Sequence, residues 1–281
     1  MSKNRMKALN EQVIVLTGAS NGIGLATARM AAERGAKVII SSQNEEELRT
    51  VSEEIRQKNG ECLFVVADCT RYEELLRLKD TAIKNFGRID TWINTAGDSF
   101  FGYLMDTPFE IERKLFETNF WGTRMGCQVA VDGMKEGGGT IINMGSEVSV
   151  AAQPLLGIYT ATKNAVKAMT DALRSELRDR NIPIEVTLMC PTAMGVSPDE
   201  CAEAILKNAE NPQRDVYVGG PAKLSAIIDT FFPQVKDMVA ETKLKELQQG
   251  TPDYTDLTTM SFIKSITQSA RKSLENFRRA G

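Results

Sequence analysis

The chain has 281 residues, 42% hydrophobic and 25% charged, the composition of an ordinary globular protein. Its 34 Lys and Arg against 37 Asp and Glu leave a net charge of −3, with no basic surplus for a nucleic-acid partner. The absence of histidine excludes Ser-His-Asp and Cys-His catalysis, His-ligated metal sites and histidine pH switching, so acid/base work falls to Tyr, Lys, Asp, Glu or Cys.

The amino-terminal stretch Met1–Lys7 is polar and no apolar run approaches the roughly 18 residues of a spanning helix, so neither a signal peptide nor a membrane span is expected. Five dispersed cysteines (Cys62, Cys69, Cys127, Cys190, Cys201) without a CxxC pair read as reduced thiols, and the expected compartment is the cytoplasm. No metal site is expected.

Taken in chain order, short apolar runs predict strands at Val13–Leu16, Lys37–Ser41, Cys62–Val66, Asp90–Ile93, Thr140–Met144, Ile184–Met189 and Asp215–Val218. Amphipathic stretches predict helices at Gly24–Arg34, Glu45–Lys58, Glu73–Phe86, Phe109–Met134, Tyr159–Arg180 and Ser197–Ala209. Strands apolar on both faces, alternating with helices, predict an α/β fold: a Rossmann-like, doubly wound parallel sheet of about seven strands. Residues 1–220 read as one domain and 221–281 as a carboxy-terminal helical extension, with an apolar stripe over Leu224–Val239 and a basic tail helix near Ser261–Arg279.

The first strand runs into Thr17-Gly18-Ala19-Ser20-Asn21-Gly22-Ile23-Gly24, and a helix follows at once. A glycine-rich strand-to-helix turn is by itself often only a turn. In the first βα unit of an alternating chain it reads as a phosphate cradle, because bare Cα atoms allow close approach and the helix start offers free N–H groups.

Further along, Tyr159 and Lys163 stand at i and i+4 and share a helix face. A free phenol titrates near pH 10, too high for proton exchange at neutrality, and an ammonium beside it is expected to lower that value. Ser146 closes the fifth strand thirteen residues earlier, and Asn119 precedes Ser146 by twenty-seven.

These motifs together resemble the short-chain dehydrogenase/reductases of the compact, classical type. The TGxxxGxG turn, Asp68 after the third strand, Asn94-Thr95-Ala96-Gly97 after the fourth, and the Asn119, Ser146, Tyr159, Lys163 spacing all match in register over about residues 10–220. The resemblance implies a carbonyl/alcohol oxidoreductase in which Tyr159 is the acid/base and Ser146 positions the substrate oxygen. Lys163 lowers the Tyr159 pKa and bonds the nicotinamide ribose, and Asn119 orders a proton relay.

For the cofactor the resemblance implies Gly18, Ser20, Asn21, Gly22, Ile23 and Gly24 around the pyrophosphate, with Ser42 and Gln43 after the second strand. Asp68 and Cys69 follow the third strand, Asn94, Ala96 and Gly97 the fourth, and Pro191 with Thr192 the sixth; Tyr159 and Lys163 complete the set. Asp68 reads equally well as a helix cap. Because Ser41-Ser42-Gln43-Asn44 carries no carboxylate to repel a 2′-phosphate, NADP(H) is expected over NAD(H).

The chain also departs from the family pattern. Pro191-Thr192 replaces the usual Pro-Gly, Val196 stands where a carboxamide-contacting Thr is usual, and only five residues separate Pro191 from the cap at Ser197. Family relatives spend a few tens there on a substrate lid, so either the site is open, or the extension covers it, or the sequence lacks a segment there. Phe100, Phe101, Tyr103, Pro154, Leu155 and Leu156 are expected either to rim an apolar pocket or to pack in the core.

A homodimer or homotetramer is expected through the helices of Asn119 and Tyr159, whose Phe116, Phe120, Trp121, Val166, Met169 and Leu173 exceed one core stripe. The alternative to an enzyme is a silent nucleotide-binding regulator. For the extension, docking on the protein body is expected over contact with a membrane surface.

Overall fold

The structure, a computed structural model, describes residues 6–149, 152–192 and 196–219. The extension expected over 221–281 therefore lies outside the described residues. Seven strands form one parallel sheet: β1 (Val13–Thr17), β2 (Lys37–Ser42), β3 (Cys62–Val66), β4 (Thr91–Asn94), β5 (Gly139–Met144), β6 (Ile184–Pro191) and β7 (Asp215–Val218). Their order is β3-β2-β1-β4-β5-β6-β7. The winding direction reverses between β1 and β4, and in such a sheet ligands bind at the carboxyl ends of the strands beside that reversal.

Helices α1 (Gly22–Glu33), α2 (Glu45–Gln57), α3 (Tyr72–Phe86), α4 (Phe109–Phe116), α5 (Thr123–Met134), α6 (Gly157–Asp179) and α7 (Pro198–Glu210) cover the sheet. Alternate strand residues point to opposite faces, which divides the apolar core in two. Ile14, Leu16, Val38, Ile40 and Ile93 pack with Ala28, Leu48, Ile205 and Leu206 of α1, α2 and α7. Val13, Val15, Ile39, Trp92 and Ile141 pack on the other face with Leu75, Leu78, Val129 and Leu177 of α3, α5 and α6.

Local chemistry sets the helix ends. Asn44 caps α2 by accepting from the Glu47 N–H at 3.2 Å, and three glutamates fill that first turn, where the helix dipole favours them. Ser197 and Glu200 form a capping box on α7, and α3 stops at Gly87 with φ of +78°.

One expected helix is not continuous. The stretch Phe109–Met134 divides into α4, a π-helical segment Glu117–Gly122 and α5. Inserting one residue in a helical turn breaks the ladder locally, and such segments often mark functional sites. Here the insertion falls on Asn119.

A buried polar seam crosses the β4–β5 region. The Trp92 indole N–H donates to Asn94 Oδ1 at 2.8 Å, Asn94 Nδ2 to Asn143 Oδ1 at 2.8 Å, and Asn143 Nδ2 to Thr170 Oγ1 at 3.0 Å. At the β7 side the buried Arg174 guanidinium donates to Val186 O at 2.7 Å and to Asp215 at 2.9 Å, tying α6 to β6 and to the start of β7.

Candidate active site

The cradle closes because its glycines touch backbone. A Cβ on Gly18, whose φ is +67°, would lie 2.6 Å from Ala96 Cα, and one on Gly24 would lie 2.2 Å from Gly18 O. The turn after β1 thus nests against the turn after β4, and Thr95 Oγ1 donates to Thr17 O across the same gap. Gly22 also has positive φ, +54°, but no atom lies within 4 Å of the Cβ it lacks. Its outer side is open. Unlike Asn44 on α2, Asn21 does not cap its own helix, leaving the first N–H groups of α1 to whatever sits in the cradle. Free amides, a helix dipole and bare Cα atoms suit a pyrophosphate.

Ser42, Gln43, Asp68, Cys69 and the Asn94–Gly97 turn follow the carboxyl ends of β2, β3 and β4, on the same edge of the sheet. Ser42 Oγ accepts from the Asn44 N–H at 3.2 Å, and Gln43 is exposed. Asp68 accepts from the Thr70 N–H and hydroxyl, both at 2.8 Å, so its side chain shapes the entry to α3 as a cap would. Both polar atoms of the Asn94 side chain serve the buried seam, so what Asn94 offers a ligand is the backbone position it fixes. Pro191 ends β6. The Thr192 N–H bonds Val218 O at 3.0 Å, and a Cβ on Gly219 would meet Thr192 Oγ1 at 2.3 Å and Val196 Cγ2 at 2.6 Å.

Asn119, Ser146, Tyr159 and Lys163 converge beyond β4 and β5. Tyr159 lies beside Ser146, whose N–H donates to Ser149 Oγ at 3.1 Å. Ser149 thus props the backbone of Ser146. Lys163 is buried, its Nζ 5.7 Å from the Tyr159 ring centre, and donates to Met144 O at 2.9 Å. Asn119, fully buried, accepts from the Asp98 N–H at 2.8 Å and donates to Asp98 O at 2.9 Å and to Thr162 Oγ1 at 3.0 Å. A Cβ on Gly97 would lie 3.1 Å from Asn119 Oδ1 and 3.5 Å from Lys163 Nζ. A side chain there would press on Asn119 and touch Lys163.

Burial raises the Tyr159 phenol above its ordinary value; the interaction with Ser146 opposes this, and the nearby Glu147 carboxylate adds to it. Burial also pushes Lys163 down to about 8, which leaves it mainly cationic at neutral pH. A positively charged nicotinamide would act on the phenol in the lowering direction when bound.

Of the expected rim, Leu155 and Leu156 are buried, Phe100, Phe101 and Pro154 half-buried and Tyr103 47% exposed. Leu155 holds a φ of +65°, and its carbonyl accepts from the Gly102 N–H at 2.9 Å, joining the loops before α6 and α4. Val166, expected on an outward face, is wholly in the core. Met169 and Leu173 line a groove of ≈ 340 Å³ between α5 and α6. No helix among the described residues is long and apolar enough to cross a membrane.

A parallel sheet opened by a glycine-rich strand-to-helix turn, with a Ser–Tyr–Lys group beyond β5, defines an oxidoreductase of the dinucleotide-binding α/β class. Residues 12–200 match the short chain dehydrogenase profile, and the chain belongs to that family of NAD(P)-dependent enzymes. It is 39% identical over 264 residues to an uncharacterized oxidoreductase of Bacillus subtilis, YxnA, covering 85% of this chain and 74% of the relative. An uncharacterized oxidoreductase of Thermotoga maritima is 34% identical over 203 residues, covering 72% and 78%. The fold also matches the crystal structure of a short chain dehydrogenase/reductase from Burkholderia phymatum in complex with NAD: TM-score 0.75 and 22% identity, covering 79% of this chain and 93% of that one.

Proposed function

We propose that this chain interconverts a ketone or aldehyde and an alcohol, with Tyr159 as acid/base. The observation that carries the reading is the grouping of a phenol beside Ser146 and a buried lysine on one helix face, at the edge of the sheet where the glycine cradle lies. The nicotinamide cofactor supplies the hydride in reduction and accepts it in oxidation. Tyr159 gives its phenolic proton to the carbonyl oxygen as the carbon is reduced, and takes it back in the reverse direction. Ser146 donates to the same oxygen and fixes its distance from the phenol. Lys163 bonds the nicotinamide ribose and, with the cofactor's positive charge, favours the phenolate; Asn119 holds the turn after β4 against this group.

NADP(H) is the preferred cofactor in this reading. No carboxylate stands between Ser41 and Asn44, and the first one beyond, Glu45, is paired with Arg49 at 2.6 Å. The substrate side is apolar through Phe100, Phe101, Tyr103, Pro154, Leu155 and Leu156. A homodimer or tetramer would bury the α5–α6 groove. The test is consumption of NADPH and NADH, followed at their shared absorbance, against a panel of aliphatic and aromatic carbonyls. Turnover favouring NADPH supports the reading. Tight nucleotide binding with no turnover on any carbonyl would favour the second reading, a nucleotide-binding regulator, to which the short loop after β6 points.

A further inference from the structure

The Asn119 side chain does not face an open site. Its amide nitrogen has two hydrogens, one given to Asp98 O at 2.9 Å and the other to Thr162 Oγ1 at 3.0 Å, while its oxygen takes the Asp98 N–H at 2.8 Å. Thr162 is wholly buried, and its own hydrogen goes to the Tyr159 carbonyl at 2.7 Å. A continuous run of bonds therefore leads from the turn after β4 through the π-helical segment to the backbone of the residue that carries the phenol. The residue at 162 must accept from one side and donate to the other. A hydroxyl does both, whereas alanine or valine does neither.

We propose that Thr162 is a positioning residue, which locks the first turns of α6 to Asn119 and so holds Tyr159 and Lys163 in register with the Gly97–Asp98 turn. The proposal rests on the reading of Tyr159 as proton donor. Two features support it beyond the bonds themselves. The π-helical insertion falls on Asn119 and not elsewhere along the Phe109–Met134 stretch. Gly97 lies between Asn119 Oδ1 and Lys163 Nζ, at 3.1 and 3.5 Å from its missing Cβ, so a small shift of α6 changes the spacing of the reacting groups. A buried amide that loses its acceptor must also rearrange to find another.

The experiment compares Thr162→Val, which keeps the shape and removes the hydroxyl, with Thr162→Ser, which keeps the hydroxyl. The expected result for Thr162→Val is a kcat lower by about tenfold to a hundredfold, with nucleotide affinity and the KM for the carbonyl changed by less than about twofold. Thr162→Ser restores kcat to within about threefold, since only a methyl group is lost. In the protein without substrate or nucleotide, the Asn119 side-chain amide protons, followed by nitrogen-15 NMR, move and exchange faster with solvent in Thr162→Val but not in Thr162→Ser. Should Thr162→Val fail to fold, Thr162→Ala is read in the same way. A kcat within twofold of wild type in the valine variant, an unmoved Asn119 amide, or a serine variant as impaired as valine overturns the proposal. If the wild type reduces no carbonyl, the proposed reaction falls, and the Asn119 resonances still decide the link.

Discussion

Lys163 and Met144 are joined by a hydrogen bond of 2.9 Å from the buried ammonium to the last carbonyl of β5. That bond anchors α6 to the strand leading to Ser146, and it places the only buried lysine among the described residues beside the phenol. The arrangement costs stability, because burial pushes the lysine down to about 8 from an ordinary value near 10.4.

The cost has a defined pH dependence. Below pH 8 folded and unfolded chains both carry the proton and the penalty is complete. Between about 8 and 10.4 the unfolded chain still binds the proton while the folded one has released it, so this group's contribution to stability rises with pH. Replacing Lys163 by Met removes the titration. The stability advantage of Lys163→Met over wild type, measured by urea unfolding of the nucleotide-free protein, is expected to shrink by up to about 3 kcal/mol between pH 7 and 10.5. A difference independent of pH would show that the lysine is not desolvated.

The two positive-φ glycines of the cradle should differ in their tolerance of a side chain. At Gly18 a methyl group would strike the Ala96 backbone at 2.6 Å, whereas at Gly22 it meets nothing within 4 Å. Gly18→Ala is therefore expected to abolish nucleotide binding and to destabilise by about 2 kcal/mol or more, and Gly22→Ala by about 1 kcal/mol through backbone strain alone. Calorimetric titration with NADPH and thermal unfolding of both variants check this; equal effects would contradict it.

Arg174 is only 3% exposed at its side chain and bonds both Asp171 and Asp215. Burial opposes the ionisation of Asp171, but its Lys167 partner, with Arg214 and Arg174 nearby, holds the carboxylate below its ordinary range. Arg174→Met removes the buried guanidinium shared by Asp171 of α6 and Asp215 of β7, leaving Asp171 to Lys167 and Arg214 and Asp215 to Arg214 alone, and is expected to cost about 3 kcal/mol near neutral pH. The loss should diminish as pH falls through the range in which Asp171 takes up its proton, because the protonated carboxyl no longer needs the guanidinium. Urea midpoints at pH 4 and pH 7 measure it.

The strands were legible because both faces of a parallel sheet are buried: Ile14 and Leu16 serve one core, Val13 and Val15 the other, and each run reads as apolar throughout. The grouping of Ser146, Tyr159 and Lys163 was legible from spacing along a strand end and one helix face. The break at Asn119 was not. Residues 109–134 carry a sustained amphipathic pattern, and the insertion answers to a tertiary partner, Asp98, that no local pattern reveals. The same applies to Thr162, whose hydroxyl gains its meaning from Asn119 across the helix interface, and to Val166, which is apolar and at helical spacing but faces inward. The raised phenol of Tyr159 escaped because spacing shows which residues are neighbours but not how deeply they are buried.

The account stands most directly on Tyr159. NADPH oxidation by Tyr159→Phe is to be compared with wild type on a carbonyl that the wild type reduces, with NADPH affinity measured in parallel. The account predicts a rate at least about a hundredfold lower with nucleotide affinity nearly unchanged, since the variant keeps the cradle and loses only the proton donor. Wild-type turnover in Tyr159→Phe would contradict it.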